Sequence, residues 1–315
     1  MPKQQINTYT GVLIADKPAG FTSFDLCAKL RGVLKTRKIG HTGTLDPMAT
    51  GVMVILLGGA TRAADLLPDH DKEYIADFRL GMTTDTLDIT GETLTSGRYN
   101  KNISKSDIEN ILPEFTGDIM QLPPMYSAVQ VGGRRLYDLA RKGQETGREP
   151  RQVRVDTLLL ESYDQASGEG RLFVSCGKGT YIRSLVADMG DQIGCGGVLT
   201  SLRRTKACGF SESEALSLDE ICRLAADGEI SNYIRPVEDL FGFLPMARVS
   251  EAQAVRYRNG GDLDFGRVRL SEGSIPPTHP LFESDGALVR VFDPERMIGI
   301  GQKRGENIHP YKRFD

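Results

Sequence analysis

The stretch Gly40-His41-Thr42-Gly43-Thr44-Leu45-Asp46-Pro47-Met48-Ala49-Thr50-Gly51 runs straight into Val52-Met53-Val54-Ile55-Leu56-Leu57. Its glycines permit tight turns and let a ligand approach the backbone. Pro47 biases Asp46 away from helix and toward an extended conformation. The apolar run behind the loop stops at Gly58-Gly59 and reads as a buried strand or a short helix. A carboxylate displayed on a rigid loop suits nucleophilic or acid–base work. Asp-Pro is equally at home in a turn, where the aspartate only folds its own loop. No Gly-Lys-Ser/Thr follows, so the loop is not a Walker phosphate cradle.

The flanking sequence alternates between helical and strand patterns. Before the loop, Ser23 reads as an N-cap, and Leu26, Cys27, Leu30, Val33 and Leu34 recur at helical spacing. After it, Lys72 to Leu80 alternates as a strand. Ser106-x-x-Glu109 reads as a capping box ahead of Ile111, Leu112 and Phe115, and Pro113 ends or kinks that helix. Val153 to Glu161 and Arg171 to Cys176 read as strands. Ile182, Leu185, Val186, Met189 and Ile193 mark a helix, and Ser217-x-x-Glu220 opens another. Beyond about Leu244, β-like runs (Arg267 to Leu270, Ala287 to Phe292, Met297 to Gly301) are divided by turns at Asn259-Gly260-Gly261 and Pro276-Pro277. That texture predicts a small all-β domain. At roughly 150 residues per domain, 315 residues suggest about two domains.

Composition narrows the function. No apolar run approaches the roughly 18 residues of a membrane span, and no apolar core follows Met1-Pro2-Lys3-Gln4-Gln5, so no membrane partner and a cytoplasmic location are expected. Five cysteines without a C-x-x-C pair argue against disulfides and structural zinc, and four scattered histidines offer no metal catalysis. The net charge is −3, yet Lys29 to His41 holds five Lys and Arg residues and no acid. Arg134 to Arg154 holds seven against three acids. One such run reads as a solvated face; two in an acidic chain point to a polyanion partner.

A second cluster, Gly177-Lys178-Gly179-Thr180-Tyr181-Ile182-Arg183-Ser184, precedes a helix. Arginine near a helix start is disfavoured by the macrodipole, so Arg183 is either held by a carboxylate or bound to an anion, or else lies on the surface. Tyr74 and Tyr181 could stack on a base or belong to the core. Asp85-x-x-Asp88, among Thr84, Thr86 and Thr90, reads as a turn rather than a metal site.

Taken together, these residues resemble the bacterial tRNA pseudouridine synthase B family. The matching segments are Asp16-Lys17-Pro18 with Gly20, Ser23 and Asp25; GHTGTLDPMATG at 40–51; RLGMTTDTLDITGE at 79–92; QLPPMYSAVQVGGRRLYDLARKG at 121–143; KGTYIRSLVADMG at 178–190; and LRRTKACGF at 202–210. They cover most of residues 11–210 in order, and the combination is highly specific. The C-terminal segment is more loosely similar to the family's RNA-binding PUA domain, and Leu270 to Pro280 fits that pattern poorly.

The resemblance implies an α+β pseudouridine synthase domain over 1–244, with a mixed, largely antiparallel sheet and a basic RNA-clamping insertion at about 121–152. A small β-barrel-like PUA domain over 245–315 would follow. It implies that uridine 55 in the T-loop of tRNA is isomerised to pseudouridine by a monomeric enzyme without cofactor or metal, acting on the T-arm and elbow through base flipping. By resemblance, Asp46 is the catalytic aspartate, Arg183 its partner and Tyr74 the residue stacking on the uracil. Tyr181 and Leu202 line the pocket, His41 contacts RNA, Lys17 lies near the site, and Arg141, Lys142 and Arg148 belong to the clamp. A non-catalytic RNA-binding or RNA-folding protein could keep the scaffold but need not keep Asp46, Tyr74 and Arg183.

Overall fold

The computed structural model describes residues 9–67, 72–127, 129–144, 146–271 and 285–314. The apolar run after the first loop is a strand, Thr50–Leu57, and all of it beyond Thr50 is buried. It lies inside a large mixed sheet ordered 216–217, 11–17, 50–57, 197–207, 72–80, 169–176, 151–164 and 117–121, with 39–41 and 210–211 paired beside this path. Seven of its pairings are antiparallel and two are parallel.

Strands 11–17 and 50–57 are apolar on both faces because both faces are covered. Successive side chains of a strand point to opposite sides. Leu13, Ala15, Met53 and Ile55 enter one core with helices Ser23–Val33 and Ile182–Ile193. Val12, Ile14, Val52, Val54 and Leu56 enter a second core on the opposite side, completed by Phe241, Leu244, Phe292, Ile300 and Phe314. Double coverage explains why the pattern in 52–57 is continuous rather than alternating.

Local signals held in some places and shifted in others. Strand Lys72–Leu80, helix Ile182–Ile193 and the Ser217/Glu220 capping box are present as read. The first helix is capped by Thr22, not Ser23, through a reciprocal box with Asp25. Ser23 is buried instead, donating to the Leu45 carbonyl at 3.1 Å and accepting the Leu45 N–H at 2.8 Å. The helix Lys105–Ile111 uses Ser104 and Asp107, one overlapping frame earlier than Ser106 and Glu109.

After residue 244, six strands (246–248, 263–264, 269–271, 288–292, 297–304 and 307–313) form a second sheet. This segment is not all-β: Ser250 and Gln253 cap a helix, Glu251–Arg258. Its hydrogen-bonded path has open ends among the described residues, so a closed barrel is not seen there. The Pro276-Pro277 turn lies outside the described residues. The expected clamp contains a hairpin, 130–131 with 134–135, and a short helix, Leu136–Ala140, seated by the buried Leu136. No helix among the described residues is long and apolar enough to cross a membrane.

The chain's end is built into the second core. Phe314 stacks on Phe241 with ring centroids 5.8 Å apart. The Phe314 carbonyl lies so close to Gly59 that a Cβ there would come within 2.1 Å of it. Nearby, Lys312 pairs with Asp65 at 2.7 Å. Phe314→Ala should therefore destabilise the protein by about 3 kcal/mol or more, the range for emptying a buried aromatic site. Urea unfolding monitored by circular dichroism checks this; a loss below about 1 kcal/mol would show that the second core does not depend on the C-terminal end.

Candidate active site

The loop 42–49 is pinned from below before it presents anything. Lys17, at the end of strand Gly11–Lys17, is fully buried. Its ammonium donates to the carbonyls of Phe21 (2.6 Å), Pro18 (2.9 Å) and Pro47 (3.3 Å). Burial lowers its pKa to about 8, with Asp46 opposing that shift. Ser23 holds Leu45 from the other side, and Gly20 N–H donates to the Pro47 carbonyl at 2.8 Å. Gly51 closes the loop at φ +102°, with the Arg204 carbonyl 2.2 Å from where a Cβ would sit, so no other residue fits.

On this support Asp46 faces the first turn of the helix Ile182–Ile193. Arg183 Nε lies 2.8 Å from Asp46 Oδ2, and Nη2 donates to Oδ1 at 3.1 Å. The Nε approach is short but poorly aligned as a hydrogen bond. The pair is thus a skewed fork with one directed bond. Arg183 is 4% exposed, whereas Asp46 keeps 30% of its side chain open. The carboxylate is the more exposed member of the pair.

The same guanidinium reaches two further loops. Nη1 donates to the Thr86 carbonyl at 2.7 Å, and Nη2 to the Tyr126 carbonyl at 2.9 Å. Asp88 Oδ2 stands 3.7 Å from Nη1. The Asp85–Asp88 segment is a turn as read: Asp88 Oδ1 accepts from Thr86 Oγ1 at 2.9 Å and from Thr90 N–H at 2.9 Å. Asp88 is also a second carboxylate for Arg183, which its local sequence does not announce. Two carboxylates at the guanidinium explain how arginine is tolerated at a helix start.

Burial is the largest influence on Asp46 and pushes its pKa up; Arg183 opposes this, and Asp88 adds to it. Tyr74, on strand Lys72–Leu80, is buried, and its phenol is pushed up to about 12 chiefly by burial. It therefore stays neutral, with Arg204 as a side-chain hydrogen-bond neighbour. Tyr74 and Leu202 belong to the same buried cluster as Leu45, and Tyr74 feels the charge of Asp46.

Tyr181 precedes the helix and is half-buried, its backbone gripped by Gln121: Tyr181 N–H donates to Oε1 at 2.8 Å, and Gln121 Nε2 donates to the Tyr181 carbonyl at 3.0 Å. Gln121 carries no sequence signal of its own beyond its place in the 121–143 segment. His41 ends strand Ile39–His41, its pKa lowered by burial and then by Arg204. Arg141 and Lys142 are exposed just past the short helix Leu136–Ala140, away from any ion pair among the described residues, and Arg148 donates to the Pro123 carbonyl at 3.0 Å. Asp46 and Arg183 are thus in direct contact, Tyr74 is near enough to feel the Asp46 charge, Leu202 shares a buried cluster with Tyr74 and Leu45, and Tyr181 stands two residues before Arg183. Lys17 lies beneath them with its donors engaged by the backbone.

A half-open carboxylate fixed by a buried cation can attack an electrophilic carbon or accept a proton. Removing the cation removes what favours its ionised form. Arg183→Gln should therefore raise the Asp46 pKa by about 1–3 units and move the acid limb of the pH–rate profile up by that amount. Arg183→Lys, which keeps a charge, should move it less. An unmoved limb in Arg183→Gln would show that the pair does not govern the titration.

Comparison with known proteins gives a consistent picture. Residues 31–182 match a family model described as "TruB family pseudouridylate synthase (N terminal domain)", and residues 183–241 match "tRNA pseudouridylate synthase B C-terminal domain". The chain is 40% identical over 297 residues to tRNA pseudouridine synthase B of Pseudomonas fluorescens, covering 93% of this chain and 91% of that one. It is 37% identical over 287 residues to the Bacillus subtilis enzyme of the same name, covering 90% and 93%. Among solved structures, it is similar to a chain of a Cbf5-Nop10-Gar1 complex, with TM-score 0.72 and 25% identity over 97% of this chain and 85% of that one.

Proposed function

Because the chain belongs to the TruB family of pseudouridylate synthases, an isomerase family acting on uridine in tRNA, we propose that it converts uridine 55 of the T-loop to pseudouridine with Asp46 as its catalytic carboxylate. The observation that carries this reading is the Asp46–Arg183 pair, buried on the arginine side and open on the aspartate side.

The reaction breaks the C1′–N1 bond, turns the uracil and joins C1′ to C5. C5 loses a proton and N1 gains one, so atoms balance, nothing is oxidised, and no cofactor or metal is called for. Asp46 acts on the flipped-out nucleotide as nucleophile or base. Carboxylates assist glycosidic cleavage in the same way. Uracil leaves as a delocalised anion, so a second carboxylic acid is dispensable. Tyr74 stacks on the displaced base, replacing its lost neighbours at about 1–3 kcal/mol. Tyr181 and Leu202 complete the pocket.

Recognition of the T-arm and elbow rests on RNA shape and phosphates. His41 beside the flipped nucleotides, the exposed Arg141 and Lys142, and Arg148 supply RNA contacts. In this reading residues 1–244 carry the chemistry, the 121–152 segment clamps the RNA, and residues 245–315 act as a PUA-like RNA-binding unit in a monomeric, cytoplasmic enzyme.

The test is an unmodified tRNA transcript incubated with the protein in EDTA after the RNA has been folded, with pseudouridine mapped by selective chemical labelling. A single new pseudouridine at position 55, and none in a transcript carrying C at that position, is expected. Product at another uridine, or a requirement for added zinc, would overturn the assignment.

A further inference from the structure

We infer that the space over the Gly43 backbone is a binding site for an RNA backbone phosphate next to the target nucleotide, contacted by Lys72 and backed by the buried Arg204. This deepens the RNA-modifying reading above and rests on it.

Arg204 sits in the middle of strand Gly197–Ala207, between Gly51 on one neighbouring strand and Tyr74 on the other. It is 1% exposed. Its Nε donates to the Val52 carbonyl at 2.7 Å and its Nη2 to the Gly43 carbonyl at 3.3 Å. Nη1 is buried without a hydrogen-bond partner. Two carbonyl dipoles and the neighbouring Tyr74 hydroxyl bring no negative charge to this guanidinium, and a buried charge normally has an opposite charge beside it. Arg183, on the other side of the pocket, has two carboxylates; no carboxylate pairs with Arg204 among the described residues.

What stands nearby is another cation. Lys72 opens the strand that carries Tyr74 and is half-buried, and its ammonium makes no hydrogen bond or ion pair with a described residue. Burial lowers its pKa, Arg204 lowers it further, the nearby Cys176 and Cys208 thiols oppose the shift, and Lys178 adds to it. A Cβ built on Gly43 would lie 3.5 Å from Arg204 Nη1, 3.7 Å from Lys72 Cε and 4.0 Å from Lys72 Nζ. Both cationic heads therefore border one point, left open because residue 43 has no side chain. His41, on the same loop, is a hydrogen-bond neighbour of the Gly43 backbone, and its ring brings no negative charge.

Two like charges bordering one point call for an anion. Lysine binds phosphate as a point charge, and the reachable head here is its ammonium, with Arg204 strengthening the field from beneath. The position indicates which anion. Lys72 and Tyr74 are two residues apart on one strand, about 7 Å, and on the same face. A base stacked on Tyr74 carries its own flanking phosphates at a comparable reach, so one of them can seat on Lys72 as the base enters the pocket.

The test uses a T-arm stem-loop in which each phosphate flanking the target uridine is replaced singly by an uncharged methylphosphonate. Binding is measured directly with the full-length protein and its Lys72→Gln and Lys72→Arg variants. One position should weaken wild-type binding by about tenfold, the scale of one charged hydrogen bond. Lys72→Gln should lose the same amount on unmodified RNA and lose nothing more at that position, with a salt slope lower by about 0.7. Lys72→Arg should recover most of the loss, which separates a charge contact from a folding defect.

Losses that add fully at every position, or Lys72→Gln binding like wild type, would overturn the site. So would the pattern of a free-anion site, in which no methylphosphonate position matters but inorganic phosphate raises the melting temperature of wild type and not of Lys72→Gln. Because the readout is affinity, a protein that binds as described yet makes no pseudouridine would fail the functional reading and leave this site standing.

Discussion

One guanidinium holds this pocket together. Arg183 is buried at a helix start and joins Asp46, the Thr86 carbonyl, the Tyr126 carbonyl and Asp88, which come from three loops far apart in the sequence. An arginine there is unfavourable by the helix dipole alone, so the surrounding oxygens do more than orient it. They make its burial tolerable, and its burial makes an ionised Asp46 tolerable in turn. Loss of Arg183 would leave Asp46 without its directed cation and drive it toward the neutral form, whereas loss of Asp46 would leave Arg183 with Asp88 and the two carbonyls. The proposed reaction centre and the packing of the loops around it are therefore one construction.

The rest of the fold serves that junction from two sides. One core, between the sheet and helices Ser23–Val33 and Ile182–Ile193, fixes the helix bearing Arg183 and the loop bearing Asp46. The other core lies across the back of strands 11–17 and 50–57 and takes in residues from both sides of position 244, ending at Phe314. Lys17, the last residue of strand Gly11–Lys17, links sheet to loop through its carbonyl contacts. The C-terminal segment thus supports the strand from which the Asp46 loop is hung, in addition to any role it has in gripping RNA.

What was legible in the sequence divides by range. Strand Lys72–Leu80 and helix Ile182–Ile193 follow from periodicity, and the loop around Asp46 follows from its glycines and proline, because those signals are local. Caps are less secure: Ser104-x-x-Asp107 and Ser106-x-x-Glu109 overlap, and only the first is formed. Ser23 was drawn away from capping by a contact with Leu45 that only the tertiary fold creates. The helix Glu251–Arg258 had a readable Ser250-x-x-Gln253 box but buries mainly Ala254 and Tyr257, too short a stripe to stand out by period. Asp88 was hidden because its turn contacts account fully for an aspartate there, while its second partner lies on a distant helix. Family resemblance supplied the roles of Asp46, Tyr74 and Arg183; spacing alone left Asp46 open between a reactive carboxylate and a turn former.

That choice is decided most directly by Asp46→Asn, measured in single turnover at saturating enzyme beside a tRNA binding curve. Asparagine keeps the size and the turn-forming capacity of residue 46 but removes its charge. An interaction that acts in the transition state lowers the rate without weakening ground-state binding. Pseudouridine formation should therefore fall by orders of magnitude while tRNA affinity stays nearly unchanged. A variant that folds, binds tRNA and reacts within about tenfold of wild type, some 1.4 kcal/mol of barrier, would contradict a catalytic Asp46.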